Sequence, residues 1–108
     1  MQIVAVVHCT KGQSLRDSIV VKLQRASAAE LVVSEVHRKN RNPGWTKIHS
    51  STDERGALNI RWVASASSLE CRVITRNTRK ASPILGDFIT YLFNHHRTRI
   101  RAVTVVSP

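Results

Sequence analysis

Between Ala57 and Val73 apolar and polar residues alternate with a period of two, and this alternation limits the fold more than any other feature. Leu58, Ile60 and Trp62 fall on one side of a strand, while Asn59 and Arg61 fall on the other. Ser65 to Ser68 turns the chain, after which Leu69, Cys71 and Val73 continue the inward side and Glu70 and Arg72 face out. Such a hairpin has one dry face and one wet face, and other elements must cover the dry one.

The rest of the chain supplies candidates for that cover. Residues 2–8 are β-branched and apolar, as in a short buried strand. From Ser14, a natural N-cap, Leu15, Ile19, Leu23 and Ala26 recur at helical spacing, with Asp17 in the first turn. Residues 30–38 read as a Val-rich strand, although Ser27 to Glu30 also has the form of a capping box that opens a helix. Asn40-Arg41-Asn42-Pro43-Gly44 is a turn, Trp45 to Ser50 a strand, and residues 51–56 a polar hairpin loop. Ser82 and Pro83 mark a helix start, with Pro at the first helical position, ahead of a stripe of Ile84, Leu85, Phe88, Ile89, Leu92 and Phe93. Val103 to Val106 reads as a closing strand. The order is β-α-β-β-β-β-α-β, an α+β fold. It predicts a two-layer sandwich with a mainly antiparallel sheet and two helices on one face.

A length of 108 residues suits one domain spanning 1–108. Seventeen Lys and Arg oppose seven Asp and Glu, for a net charge of +10. That field attracts polyanions, and nucleic acid is the first partner to consider. Cys9 and Cys71 lie far apart without a CxxC pairing, so they read as free thiols rather than as a disulfide framework or a metal site. The apolar run at the N-terminus is short and lacks a basic leader, which argues against a signal peptide. No stretch is long enough to cross a bilayer, so a cytoplasmic protein without membrane contact is expected.

One pattern joins several segments. Asn42 to Ser50, then Arg55 to Trp62, then Ile84 to Ile89 together resemble the small α+β proteins carried on integron-type mobile gene cassettes. The resemblance covers roughly residues 40–106. It implies an α+β fold and brings no active site with it.

The residues that carry chemistry elsewhere are dispersed here. His95 and His96 adjoin at a helix end and point about 100° apart, which is poor for chelation; a cation there complements the helix dipole. His8 and Cys9 fall on opposite faces of a strand, and a Cys71–His49 pair has no motif behind it. Asp53 and Glu54 belong to a hairpin loop and Asp87 to a first helical turn, while Glu35 and Glu70 fall on strands beside arginines. No converging carboxylate pair and no Gly-rich phosphate loop is legible, so neither an enzyme nor a cofactor is expected.

The basic clusters remain. Arg38, Lys39 and Arg41 flank the Asn-Pro-Gly turn; Arg72, Arg76, Arg79 and Lys80 lead into the second helix; Arg97, Arg99 and Arg101 follow it. If these meet at one edge, about six phosphate contacts would give a salt slope near −5 on duplex DNA. Trp45, just after a basic turn, can add one stacking contact, whereas Trp62 shares the inward side with Leu58 and Ile60. The expected function is therefore a non-enzymatic binding domain for nucleic acid or another polyanion. Its expected site is Arg38, Lys39, Arg41, Trp45, Arg76, Arg79, Lys80, Arg97 and Arg99. The alternative is a self-associating module, a homodimer that does not bind nucleic acid. A small-molecule pocket between sheet and helices ranks third for want of converging polar residues.

Overall fold

The computed structural model describes residues 3–25, 31–35, 44–52, 55–74 and 83–107, without the side chains of Ser34 and Glu35. Six strands form one antiparallel sheet and two helices accompany it, an α+β fold in the order read from the sequence. The strands are β1 (Val4–Cys9), β2 (Leu31–Glu35), β3 (Trp45–Ser50), β4 (Ala57–Val63), β5 (Ser68–Ile74) and β6 (Ile100–Val106). The helices are α1 (Leu15–Arg25) and α2 (Ile84–His95). Across the sheet the order is β2-β3-β4-β5-β1-β6, so β2 and β6 are its edges.

The alternation seen in the sequence sorts the sheet into two faces. On the first face Ala5, Val7, Ile48, Leu58, Ile60, Leu69, Cys71 and Val73 are buried. They join Leu15, Ile19 and Leu23 of α1 and Ile84, Phe88 and Leu92 of α2 in one core cluster. Burying one large aliphatic or aromatic side chain is worth roughly 1.5–3 kcal/mol, so this cluster is the main source of stability. On the second face, Trp45, Asn59 and Arg61 are partly exposed, and Arg72 and Ile74 are more open.

Local chemistry sets the boundaries. Ser14 caps α1: its hydroxyl accepts the Asp17 amide at 3.2 Å. α2 begins one residue later than expected, at Ile84, with Pro83 in the cap position and its carbonyl accepting from the Asp87 amide at 3.1 Å. Ser67 adopts a left-handed φ of 47° to turn β4 into β5, after a short 3₁₀ turn at Ala64–Ala66. β6 starts three residues before the expected Val103, because Ile100 pairs with Cys9 across a bulge. No helix among the described residues is long and apolar enough to cross a membrane.

Candidate nucleic-acid interface

The strand register assembles a cluster on the second face that no single segment of sequence displays. Gly44 has φ +84°, a left-handed conformation that favours glycine, and it delivers the chain into β3 at Trp45. Trp45 pairs with Arg61 of β4, Arg61 pairs with Glu70 of β5, and Lys47 pairs with Asn59, which in turn pairs with Arg72. Trp45 thus begins a row that runs across three strands, with a second cationic row beside it.

The side chains use that proximity. The guanidinium carbons of Arg61 and Arg72 lie 4.7 and 4.8 Å from the Trp45 ring centroid, within cation–π range. Glu70 bridges both arginines, accepting from Arg61 Nη2 at 2.7 Å and from Arg72 Nη2 at 3.3 Å. Two positive charges thus share one carboxylate, so the cluster keeps one net positive charge beside a partly exposed aromatic ring. Arg61 Nε is a buried donor without a hydrogen-bond acceptor. His8 adds a polar group nearer β6, its Nε2 lying 3.1 Å from Thr104 Oγ1.

The end of the sheet next to Trp45 is also basic. Arg16 of α1 donates to the Gly44 carbonyl and pairs with its neighbour Asp17 at 3.1 Å. Lys11, Arg97 and Arg101 are exposed at the same end, where β1 stops and β6 starts. Arg99 differs from these. Its Nε donates to Thr10 Oγ1 at 3.1 Å, and Nη2 donates to the carbonyls of Thr10 at 3.3 Å and Gln13 at 2.8 Å. This side chain holds the loop between β1 and α1, with its donors turned inward.

Of the nine site residues expected from sequence, Trp45, Arg97 and Arg99 are described. Arg38, Lys39, Arg41, Arg76, Arg79 and Lys80 lie outside the described residues. The described residues that bracket these two groups stand at different ends of the sheet. Gly44 leads into the Trp45 end, whereas Ile74 pairs with Ala57 at the other. Sequence reasoning placed Arg61 and Arg72 on the wet side but did not join them to Trp45. The signal was partial: closing the hairpin over residues 51–56 would set Ser50 opposite Ala57, and only the observed pairing of His49 with Ala57, which keeps inward Ile48 opposite inward Leu58, sets Trp45 opposite Arg61.

The remaining titratable groups are built in. Cys9 and Cys71 are buried free thiols, and burial raises the pKa of both. Cys71 faces the core while His49 pairs with Ala57 on the second face, so the two do not form a nucleophile and base. Asp87, in the first turn of α2, accepts a two-pronged contact from Arg55, which holds its carboxyl below the usual range. A cation was expected at the end of α2. His96 departs from this: burial first, then the charges of Lys22, His95 and Arg99, lower its pKa to about 4. A neutral His96 ring sits there instead, 3.1 Å from the Tyr91 hydroxyl, whose own pKa burial raises to about 12. Among the described residues no group of three or more His, Cys, Asp or Glu side chains could hold a metal ion. A groove runs along α1, lined by Gln13, Ser14, Asp17, Ser18, Val21, Lys22 and Arg25, with both signs of charge in it.

No family model, curated protein or solved structure matches this chain.

Proposed function

We propose that this protein is a non-enzymatic binding domain that takes single-stranded nucleic acid on the second face of its sheet, around Trp45. In this reading both helices cover the first face as one layer of a two-layer sandwich, and the second face is the working surface. The observation that carries the reading is the Trp45 ring with two guanidinium groups within 4.8 Å of its centroid. Unstacked bases pack on aromatic rings and on guanidinium planes, while phosphates take the charged donors. Lys47, Arg61 and Arg72 supply those donors from adjacent rows, and the net charge of +10 brings the polyanion in. Glu70 acts as the resident anion that phosphate displaces.

Backbone contacts of this kind depend on salt. With about three phosphates neutralised on a single strand, the logarithm of the binding constant falls with a slope of about −2 against the logarithm of salt concentration. An anisotropy titration of a labelled single-stranded oligonucleotide at several salt concentrations measures this slope. The same titration, followed by tryptophan fluorescence, reports stacking on Trp45. Absence of binding at low salt, or binding indifferent to salt, would sink the proposal.

A further inference from the structure

The two edges of the sheet are not equivalent, and the β6 edge carries the stronger signal. β2 has five residues, a register shift between Val33 and Glu35, and α1 packed against it. A short, bulged and covered strand is a protected edge. β6 has seven residues, pairs among the described residues only with β1, and carries no charged residue between Ala102 and Val106. Cover also ends at β1: Ala5 is 1% exposed, yet its partner Val105 is 49% exposed and the adjoining Val106 54%. α2 adds an exposed apolar side chain. Asp87 on one side of that helix reaches Arg55, just before β4, while Leu85, Ile89 and Phe93 fall on the other side, where Phe93 is 46% exposed.

We infer that β6 is the interface of a homodimer in which two copies pair edge to edge, antiparallel, about a two-fold axis near Val103 and Thr104. Three features favour a second copy of this chain as the occupant. An antiparallel edge is self-complementary, because each strand offers its outward N–H and C=O groups to an identical strand. Charge points the same way: a copy with net charge +10 is repelled by most of the surface, and the uncharged stretch Ala102–Val106 is where two copies can approach. Length is sufficient as well. A seven-residue strand runs about 23 Å, a full strand length over which two copies can pair. The two-fold axis stands perpendicular to the sheet, so both Trp45 clusters lie on one side of a continuous twelve-stranded sheet.

Sedimentation of the full chain in high salt without nucleic acid tests the dimer separately from the binding proposal. The expected mass is twice 12.1 kDa at submillimolar concentration. The double variant Phe93→Lys with Val105→Lys is expected at 12.1 kDa with an unchanged circular dichroism spectrum, because both side chains are exposed in the isolated chain. Hydrogen exchange of the wild type needs no variant: the outward amides of β6 should be protected at high concentration and exchange on dilution. A wild type at monomer mass throughout, a double variant that still doubles, open-ended assembly, or outward β6 amides that exchange freely would each overturn the inference.

Discussion

Trp45 and Trp62 stand on neighbouring strands of the same sheet, and each has arginine beside it, yet they face opposite ways. Trp62 is on the first face in line with Leu58 and Ile60, packed against the core. Its cation is Arg99, 5.9 Å from the ring, and the donors of Arg99 are bound to Thr10 and Gln13. Trp45 is on the second face with Arg61 and Arg72 closer in, and their shared partner is the side chain of Glu70. The same pairing of ring and guanidinium therefore does two jobs. Where backbone carbonyls hold the guanidinium, the pair is scaffold, because releasing it would undo three hydrogen bonds that tie down the loop between β1 and α1. Where a partly exposed side-chain carboxylate holds it, an incoming phosphate can take the place of that carboxylate, one anion for another, without breaking the backbone's own hydrogen bonds.

Replacing the rings separates the two roles most sharply. Trp62→Ala should lower stability by about 3 kcal/mol, toward the low end of the range for aromatic-to-alanine changes because the ring is only partly buried. Urea titration followed by circular dichroism measures it, and nucleic-acid affinity of the folded fraction should not change. Arg99→Ala comes next. It removes three hydrogen bonds that hold residues 10–13 and should cost about 2 kcal/mol in the same assay. A variant that instead keeps its stability and loses affinity would move Arg99 into the binding surface.

These contrasts mark how far the sequence could be read. Both α-helices and all six strands among the described residues were visible beforehand, because period two from Ala57 to Val73 and period 3.6 from Leu15 and from Ile84 are local patterns, whereas the 3₁₀ turns at Ala64–Ala66 and Arg97–Arg99 were not read. The ends were harder. β6 gained Ile100 through pairing with Cys9, and that pairing joins residues far apart in the chain. For the site, alternation told which residues of β4 and β5 face away from the core, but only the register places Arg72 beside Trp45. The opposite fate of Arg99 depended on a loop almost the whole chain away, which charge clustering along the sequence does not reveal. His96 followed the same logic, since Lys22 of α1 contributes to its altered titration.

Trp45→Ala should invert the Trp62 result. Stability should fall less than in Trp62→Ala, because the ring packs on arginines and not on the core cluster, whereas affinity for a single strand should fall by roughly 1–3 kcal/mol, the usual worth of one stacked base. Arg72→Gln, in turn, should leave stability nearly unchanged and flatten the salt slope by about 0.7, the loss of one phosphate contact. Anisotropy titrations across salt measure both. If Trp45→Ala destabilises the fold as much as Trp62→Ala and leaves affinity intact, the two rings do not differ in role.

The smallest effect concerns acid, at the Arg99 end of the molecule. His96 is held neutral in the folded chain down to about pH 4, against an ordinary value of 6.5. Between those values the unfolded chain binds the extra proton, so stability is complete above pH 6.5 and declines as pH falls toward 4. Because the ring is only half-buried, solvent screening limits the loss to on the order of 1 kcal/mol. Asp87, with its carboxyl held below 3.8 by Arg55, also weakens the fold in acid, but only in more acidic solution. Thermal melts from pH 7.0 to 4.5 should therefore show a falling midpoint that His96→Gln flattens. Arg99→Ala should make the decline shallower and end it at a higher pH than in wild type, since removing one repelling charge lets His96 protonate more readily in the folded state. A midpoint that stays level in the wild type over this range would mean that the ring is as free to take a proton as any exposed histidine.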